Sequence, residues 1–207
     1  RPAATLEESA AAVRALMDSV PGEPVVPGSG FPRRLPPPGG MLTVAAFGER
    51  AVATAVAHAD RMLLDLVSPE QVRMLRARML AAAERAGRTP PRLAAWLPAA
   101  VDPEPESLRQ ILRSVVGYLA VPGYSDMFVD AGFAEVVELA AKGADRDTLL
   151  RALPPEAAGT VGLVGDAGTV RARVDAYAEA GLDEIALVPA TAGDPAGERT
   201  LTALKPE

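Results

Sequence analysis

Residues 41–67 read MLTVAAFGERAVATAVAHADRMLLDLV. The run from Met41 to Phe47 is apolar and short enough for a buried strand. It breaks at Gly48 and gives way to Ala- and Val-rich sequence from Glu49 to His58, which favours helix. Arg61 to Val67 is again apolar, a second strand. Strand, helix and strand within 27 residues specify two parallel strands joined by a right-handed crossover.

The same alternation extends in both directions. Upstream, Thr5–Asp18 reads as a helix. Thr5 and Glu8 form a capping box, and Leu6, Val13, Leu16 and Met17 line one face. Val20–Gly40 is dense in proline and glycine and reads as an ordered surface loop. Downstream, Ser68 caps a helix of about twenty residues, with Gln71 at the reach-back position. That helix stops at Gly87. Arg92–Val101 is a third strand and Pro105–Leu119 a helix ended by Pro122 and Gly123. Tyr124–Ala152 divides into two or three short helices at Gly132 and Gly143. Gly165 and Asp166 open a helix that runs to Gly181. Glu184–Pro189 is a fourth strand, and Thr200–Leu204 begins a last helix. The expected order is a helix, then strand–helix four times. An open doubly wound sheet and a barrel both satisfy it. Neither Phe47-Gly48-Glu49-Arg50 nor the segment from Leu163 to Gly168 has the glycine spacing of a dinucleotide-binding turn.

Composition narrows the function. The chain has 207 residues, 27 acidic against 21 basic, and a formal charge of -6. It is long enough for one domain over residues 1–207 with a sizeable core. The acidic balance and the lack of a basic stretch argue against nucleic-acid binding. There are no cysteines, so disulfides, thiolate metal sites and cysteine nucleophiles are excluded. A single histidine, His58, removes poly-histidine metal sites and most histidine-based triads. Although 49% of residues are hydrophobic, no uncharged run reaches the ~18–20 residues of a membrane span. No segment has the form of a signal peptide, and a cytoplasmic location is expected. The chain begins at Arg1 without an initiator Met, which suggests that something precedes it. Alanine occurs 41 times, and 19 of the 21 basic residues are arginine, a bias associated with GC-rich bacterial genomes.

Four segments, in order, carry a family resemblance. Leu42–Leu64 resembles the luciferase-like, flavin- or deazaflavin-dependent oxidoreductases. In these a strand ends in a small-residue and glycine turn, and the next helix closes in Ala-Asp. The segment from Ala81 to Arg88 resembles their Ala-Gly-Arg helix end. Val121–Phe128 resembles a segment of the actinobacterial coenzyme F-420 branch, and Gly162–Pro189 the closing helix and eighth strand. Arg61 departs from the pattern, which has glycine after Asp60. The resemblance implies a (β/α)₈ TIM barrel, which needs about 250 residues. The strands here match the fifth to eighth, with Thr5–Asp18 as helix four, so the sequence looks like the C-terminal half-barrel of a longer protein. Four strands cannot close a barrel, and one apolar face of their sheet is expected to be under-covered.

The resemblance also places the cofactor. Its phosphate is expected on the turn Ala46, Phe47, Gly48, Glu49 and Arg50, where amides at a helix start and the helix dipole attract an anion. Glu49 opposes an anion unless it points away. The implied cofactor is the deazaflavin coenzyme F-420 or FMN, carrying hydride to or from a small organic substrate. No catalytic residue can be named, because the first four strands are absent. Asp65 ends a strand at the same rim and is a candidate polar site residue. Ser68 reads as a cap, Trp96 as core, and His58 as a cation at a helix end. Tyr124, Met127 and Phe128 read as a packed helix, with an apolar lid as the alternative. Asp102, Glu104 and Glu106 read as a solvated helix start. A homodimer is expected of the full-length protein. Two other readings stand beside the oxidoreductase. One is a non-catalytic flavin-fold paralogue or assembly subunit. The other is a different phosphate-binding barrel enzyme, which would place phosphate after its last two strands; the turns Ala99–Asp102 and Pro189–Gly193 show no obvious phosphate loop, although Ala192 and Gly193 are permissive.

Overall fold

The structure is a computed structural model that describes residues 5–19 and 39–205. The Pro- and Gly-rich loop expected at Val20–Gly40 lies almost wholly outside the described residues. The chain divides into two compact units, residues 1–63 with 77–93, and residues 64–76 with 94–207.

The first unit opens with α1 (Leu6–Met17). Its capping box forms as expected: the Glu8 N–H donates to Thr5 Oγ1 at 3.2 Å, and the Thr5 N–H donates to Glu8 Oε2 at 2.7 Å. Then come β1 (Thr43–Ala45), α2 (Glu49–His58) and β2 (Arg61–Asp65). β1 and β2 are parallel, with Thr43, Val44 and Ala45 opposite Arg61, Met62 and Leu63. Asp60 stitches these elements together. Its Oδ2 accepts from Arg14 Nη2 at 2.5 Å and from the Leu42 N–H at 2.8 Å. Arg14 Nε also donates to the His58 carbonyl at 2.9 Å. The Arg14 bond, seconded by the Leu42 amide, holds the Asp60 carboxyl below its ordinary range. The Ala-Asp helix end is thus a structural clamp. Arg61, in the place of glycine, sends Nη1 to Thr43 Oγ1 at 3.5 Å.

The helix after β2 is α3 (Pro69–Ala86), and β3 spans Arg92–Val101. The second unit continues through α4 (Pro105–Tyr118), α5 (Tyr124–Asp130), α6 (Ala134–Ala141), α7 (Arg146–Ala152) and α8 (Ala157–Thr160). The breaks at Gly132 and Gly143 fall between helices, where φ is +95° and +80°, values that glycine adopts without cost. A short strand, β4 (Leu163–Gly165), follows. Then come α9 (Ala167–Glu179), β5 (Glu184–Pro189) and, after a 3-10 turn, α10 (Glu198–Ala203).

β4 corrects the expected order of four strands. It is only three residues long, and alternation cannot be read from so few. It runs parallel to the end of β3, with Ala99 opposite Leu163. β5 runs parallel along the preceding part of β3, from Ala94 opposite Glu184 to Ala99 opposite Pro189. One face of β3 is fully buried through Leu93, Ala95, Leu97 and Ala99. On the other face Trp96 of β3 and Val188 of the adjoining β5 are 51% and 50% exposed. The resulting α/β fold with parallel strands and many helices is the class expected from the sequence.

Candidate active site

The turn at Ala46–Arg50 is built as an open helix start. Ala46 is buried and its N–H donates to the Leu63 carbonyl at 3.2 Å. Phe47 is half-buried, and Gly48, Glu49 and Arg50 are exposed. Gly48 is the N-cap of α2 and supplies no side-chain cap. Among the described residues no side chain caps the first-turn amides of α2, and an anion is the natural substitute. Gly48 has an ordinary extended conformation, φ -76° and ψ 160°, and a Cβ there would meet nothing within 4 Å. The backbone does not require glycine, so its effect is to leave the approach to the amides clear. Glu49 complements the helix dipole and is the one residue of the turn that opposes an anion.

The ends of the later strands are arranged differently. Leu66, directly after β2, has φ +52° and is fully buried, and Asp102, after β3, has φ +47°. Non-glycine residues hold this left-handed conformation only when their surroundings impose it. Asp65 lies just before Leu66, and its Oδ2 accepts from the Tyr124 hydroxyl at 3.4 Å. Burial raises the Asp65 carboxyl above its ordinary value, and the Tyr124 bond opposes that shift. Burial, helped by the Asp65 charge, also raises the Tyr124 phenol. The Tyr124 ring packs on Tyr118, with centroids 4.6 Å apart, and on Phe128 at 6.4 Å.

A cavity of about 200 Å³ opens beside this group. Asp65 lines it from the end of β2 and Leu66 from directly after it, Trp96 from β3, Gln110 and Tyr118 from α4, and Val188 from β5. Trp96 is therefore no core residue, contrary to the sequence expectation. The face of β3 that carries it is left half-open, whereas a mid-strand apolar residue is ordinarily covered on both sides. Met127 and Phe128 are buried as expected of a packed helix, so of that trio only Tyr124 reaches the polar group.

The luciferase-like monooxygenase family profile matches residues 1–184. The chain belongs to the luciferase-like monooxygenase family. Solved structures share the family fold at low identity. An F-420-dependent secondary alcohol dehydrogenase in complex with an F-420–acetone adduct is 16% identical, with a TM-score of 0.64 over 97% of this chain and 62% of its own. The coenzyme F-420 dependent tetrahydromethanopterin reductase from Methanopyrus kandleri is 17% identical, with a TM-score of 0.57 over 78% and 48%. The monooxygenase RslO1 from Streptomyces bottropensis is 19% identical, with a TM-score of 0.51 over 95% and 57%. The chain thus spans about half to three-fifths of the length of these proteins. No curated protein matches it.

Other candidates take structural roles in this luciferase-like chain. Ser68 forms the expected capping box with Gln71. The His58 carbonyl, rather than its ring, joins the Arg14 clamp. The turn after β5 is already satisfied. Thr191 and Ala192 donate their N–H groups to Gln110 Oε1 at 3.1 and 2.8 Å, and a Cβ at Gly193 would sit 2.8 Å from Glu104. That removes the donors a phosphate after the last strand would need. Among the described residues no cluster of His, Cys, Asp and Glu could hold a metal ion, and no helix is long and apolar enough to cross a membrane. Sequence reasoning missed Gln110, Ser114 and Tyr118, which lie on the polar-looking side of α4. Their only signal was that the helix follows a strand end.

Proposed function

We propose that this chain is the helix-four to strand-eight portion of a luciferase-like oxidoreductase that binds coenzyme F-420 or FMN and acts on a small organic substrate. The observation that carries the reading is the uncapped start of α2 directly after a parallel strand. The donor set suits a phosphate: first-turn amides, the positive end of a helix dipole and an approach kept clear at Gly48. Ala46 and Phe47 would set the turn, Gly48 admit the phosphate, and the amides of Glu49 and Arg50 donate to it. When bound, the flavin or deazaflavin ring supplies the hydride chemistry, and the protein supplies position and electrostatics. The two F-420-dependent structural neighbours favour the deazaflavin over FMN. A homodimeric cytoplasmic enzyme is the setting we assign to the full-length protein.

Titration of the full-length protein with each cofactor, followed by cofactor absorbance and fluorescence, tests this reading. Saturable binding of coenzyme F-420 is expected, with weaker binding of FMN. If neither binds, the non-catalytic paralogue replaces the oxidoreductase, a reading that Glu49 in the turn would then explain.

A further inference from the structure

The cavity of the second unit has a chemistry of its own. Its volume of about 200 Å³ equals roughly seven water volumes and suits a ligand of about seven to ten non-hydrogen atoms. Its apolar walls include Trp96, Tyr118, Ile111 and Val188. The charged and amide groups lining it are Asp65 and Gln110, and among the described residues no Arg, Lys or His lines it. An anion would meet a carboxyl group with no cation to offset it.

Gln110 is oriented by its own hydrogen bonds. Its Oε1 accepts from the Thr191 and Ala192 amides, which leaves its NH₂ group as the donor available at the cavity. Asp65 offers an acceptor, steadied by the Tyr124 hydroxyl. A hydroxyl group answers both, because it donates to a carboxylate while accepting from an amide. An ammonium would satisfy Asp65 but give the Gln110 NH₂ nothing to bond.

We infer that this cavity binds a small neutral alcohol, its apolar body against Trp96 and Tyr118 and its hydroxyl shared by Asp65 and Gln110. That the alcohol is the redox substrate rests on the oxidoreductase reading above. That it binds here does not.

Trp96 is the single tryptophan of the chain and stands half-exposed on the cavity wall, so its emission reports the cavity directly. The cofactor-free full-length protein and its Trp96→Phe variant are titrated with cyclohexanol, cyclohexylammonium and cyclohexanecarboxylate, and the emission that the variant lacks is read as the Trp96 signal. Cyclohexanol is expected to give a saturable blue shift, and the two ions to bind at least about tenfold more weakly. Asp65→Leu should weaken cyclohexanol about tenfold or more, while Asp65→Asn, which keeps an accepting oxygen, stays within about threefold. Ser114→Phe, on an exposed helix position lining the cavity, should fill it and abolish the shift with the circular dichroism unchanged. Gly48→Asp should leave the alcohol titration intact, so failure of the phosphate reading and failure of this one are separable. The inference is overturned by the absence of a saturable shift with cyclohexanol. It is equally overturned if either ion binds as tightly, or if folded Ser114→Phe binds cyclohexanol like the parent.

Discussion

Two strand-to-helix turns, after β1 and after β2, solve the same problem in opposite ways. Each must dispose of the unpaired amides of a helix start. After β2 the chain does so internally. The Ser68 N–H donates to Gln71 Oε1 at 2.9 Å, the Gln71 N–H donates to Ser68 Oγ at 3.3 Å, and Gln71 Nε2 donates to the Met127 carbonyl at 2.5 Å. Ser68 and Gln71 are buried at 7% and 5% exposure. After β1 there is no side-chain cap, and the turn faces solvent. A turn that satisfies itself contributes stability. A turn left unsatisfied gives up that stability and keeps donors for a ligand.

The largest expected effect breaks the open turn. Gly48→Asp places a carboxylate, itself a good N-cap, where the phosphate is proposed to sit. Loss of one or two charge-assisted hydrogen bonds of about 1.5–3 kcal/mol each weakens cofactor binding by roughly ten- to ten-thousand-fold. The denaturation midpoint should stay level or rise slightly, because aspartate caps a helix as well as glycine or better. Unchanged affinity in a cofactor titration would move the phosphate elsewhere. The converse test strikes the closed turn. Gln71→Ala orphans the buried Ser68 amide, while the Met127 carbonyl keeps its bond from the Ala131 N–H, and should cost about 1–3 kcal/mol of stability, read from chemical denaturation, without changing cofactor affinity in the molecules that remain folded.

A third test separates two aspartates by pH. Asp60 has its carboxyl lowered by Arg14 and the Leu42 amide. Its contribution is present above the unfolded value near 3.8 and is lost as pH falls through the lower folded value. Asp65 has its carboxyl raised by burial, so the folded state holds the proton more tightly. Its contribution is fully present below the unfolded value and is lost as pH rises through the higher folded one. Asp60→Asn should therefore lower stability at neutral pH and flatten the loss in acid. Asp65→Asn should raise stability at neutral pH relative to the parent. Denaturation midpoints measured from acid to neutral pH check both signs, and shifts in the same direction would refute the assignment.

The smallest expected effect is a control. His58→Ala leaves the His58 carbonyl and its bond to Arg14 in place. A cationic side chain at a helix end contributes only about 0.3–1 kcal/mol, so cofactor affinity should not change. Loss of turnover in a folded His58→Ala protein would give the histidine a role that this geometry does not show.

The sequence by itself determined what depends on neighbours along the chain. Helix α2 and strands β3 and β5 fall where periodicity and breaks place them. Both capping boxes form between residues three apart, so spacing alone reveals them. The open turn at Gly48 was legible for the same reason, as a strand end, a glycine and a helix start in succession. Tertiary structure alone decided what depends on residues far apart. β4 exists because the end of β3 offers it hydrogen bonds, and three residues carry no pattern of their own. Trp96 looked like core because a strand residue reveals its own alternation but not whether the face it joins is covered. The Asp65–Tyr124 contact joins residues 59 positions apart, and Gln110 reaches the turn after β5 across more than 80. Such pairings are set by packing of whole elements, which local propensity does not encode.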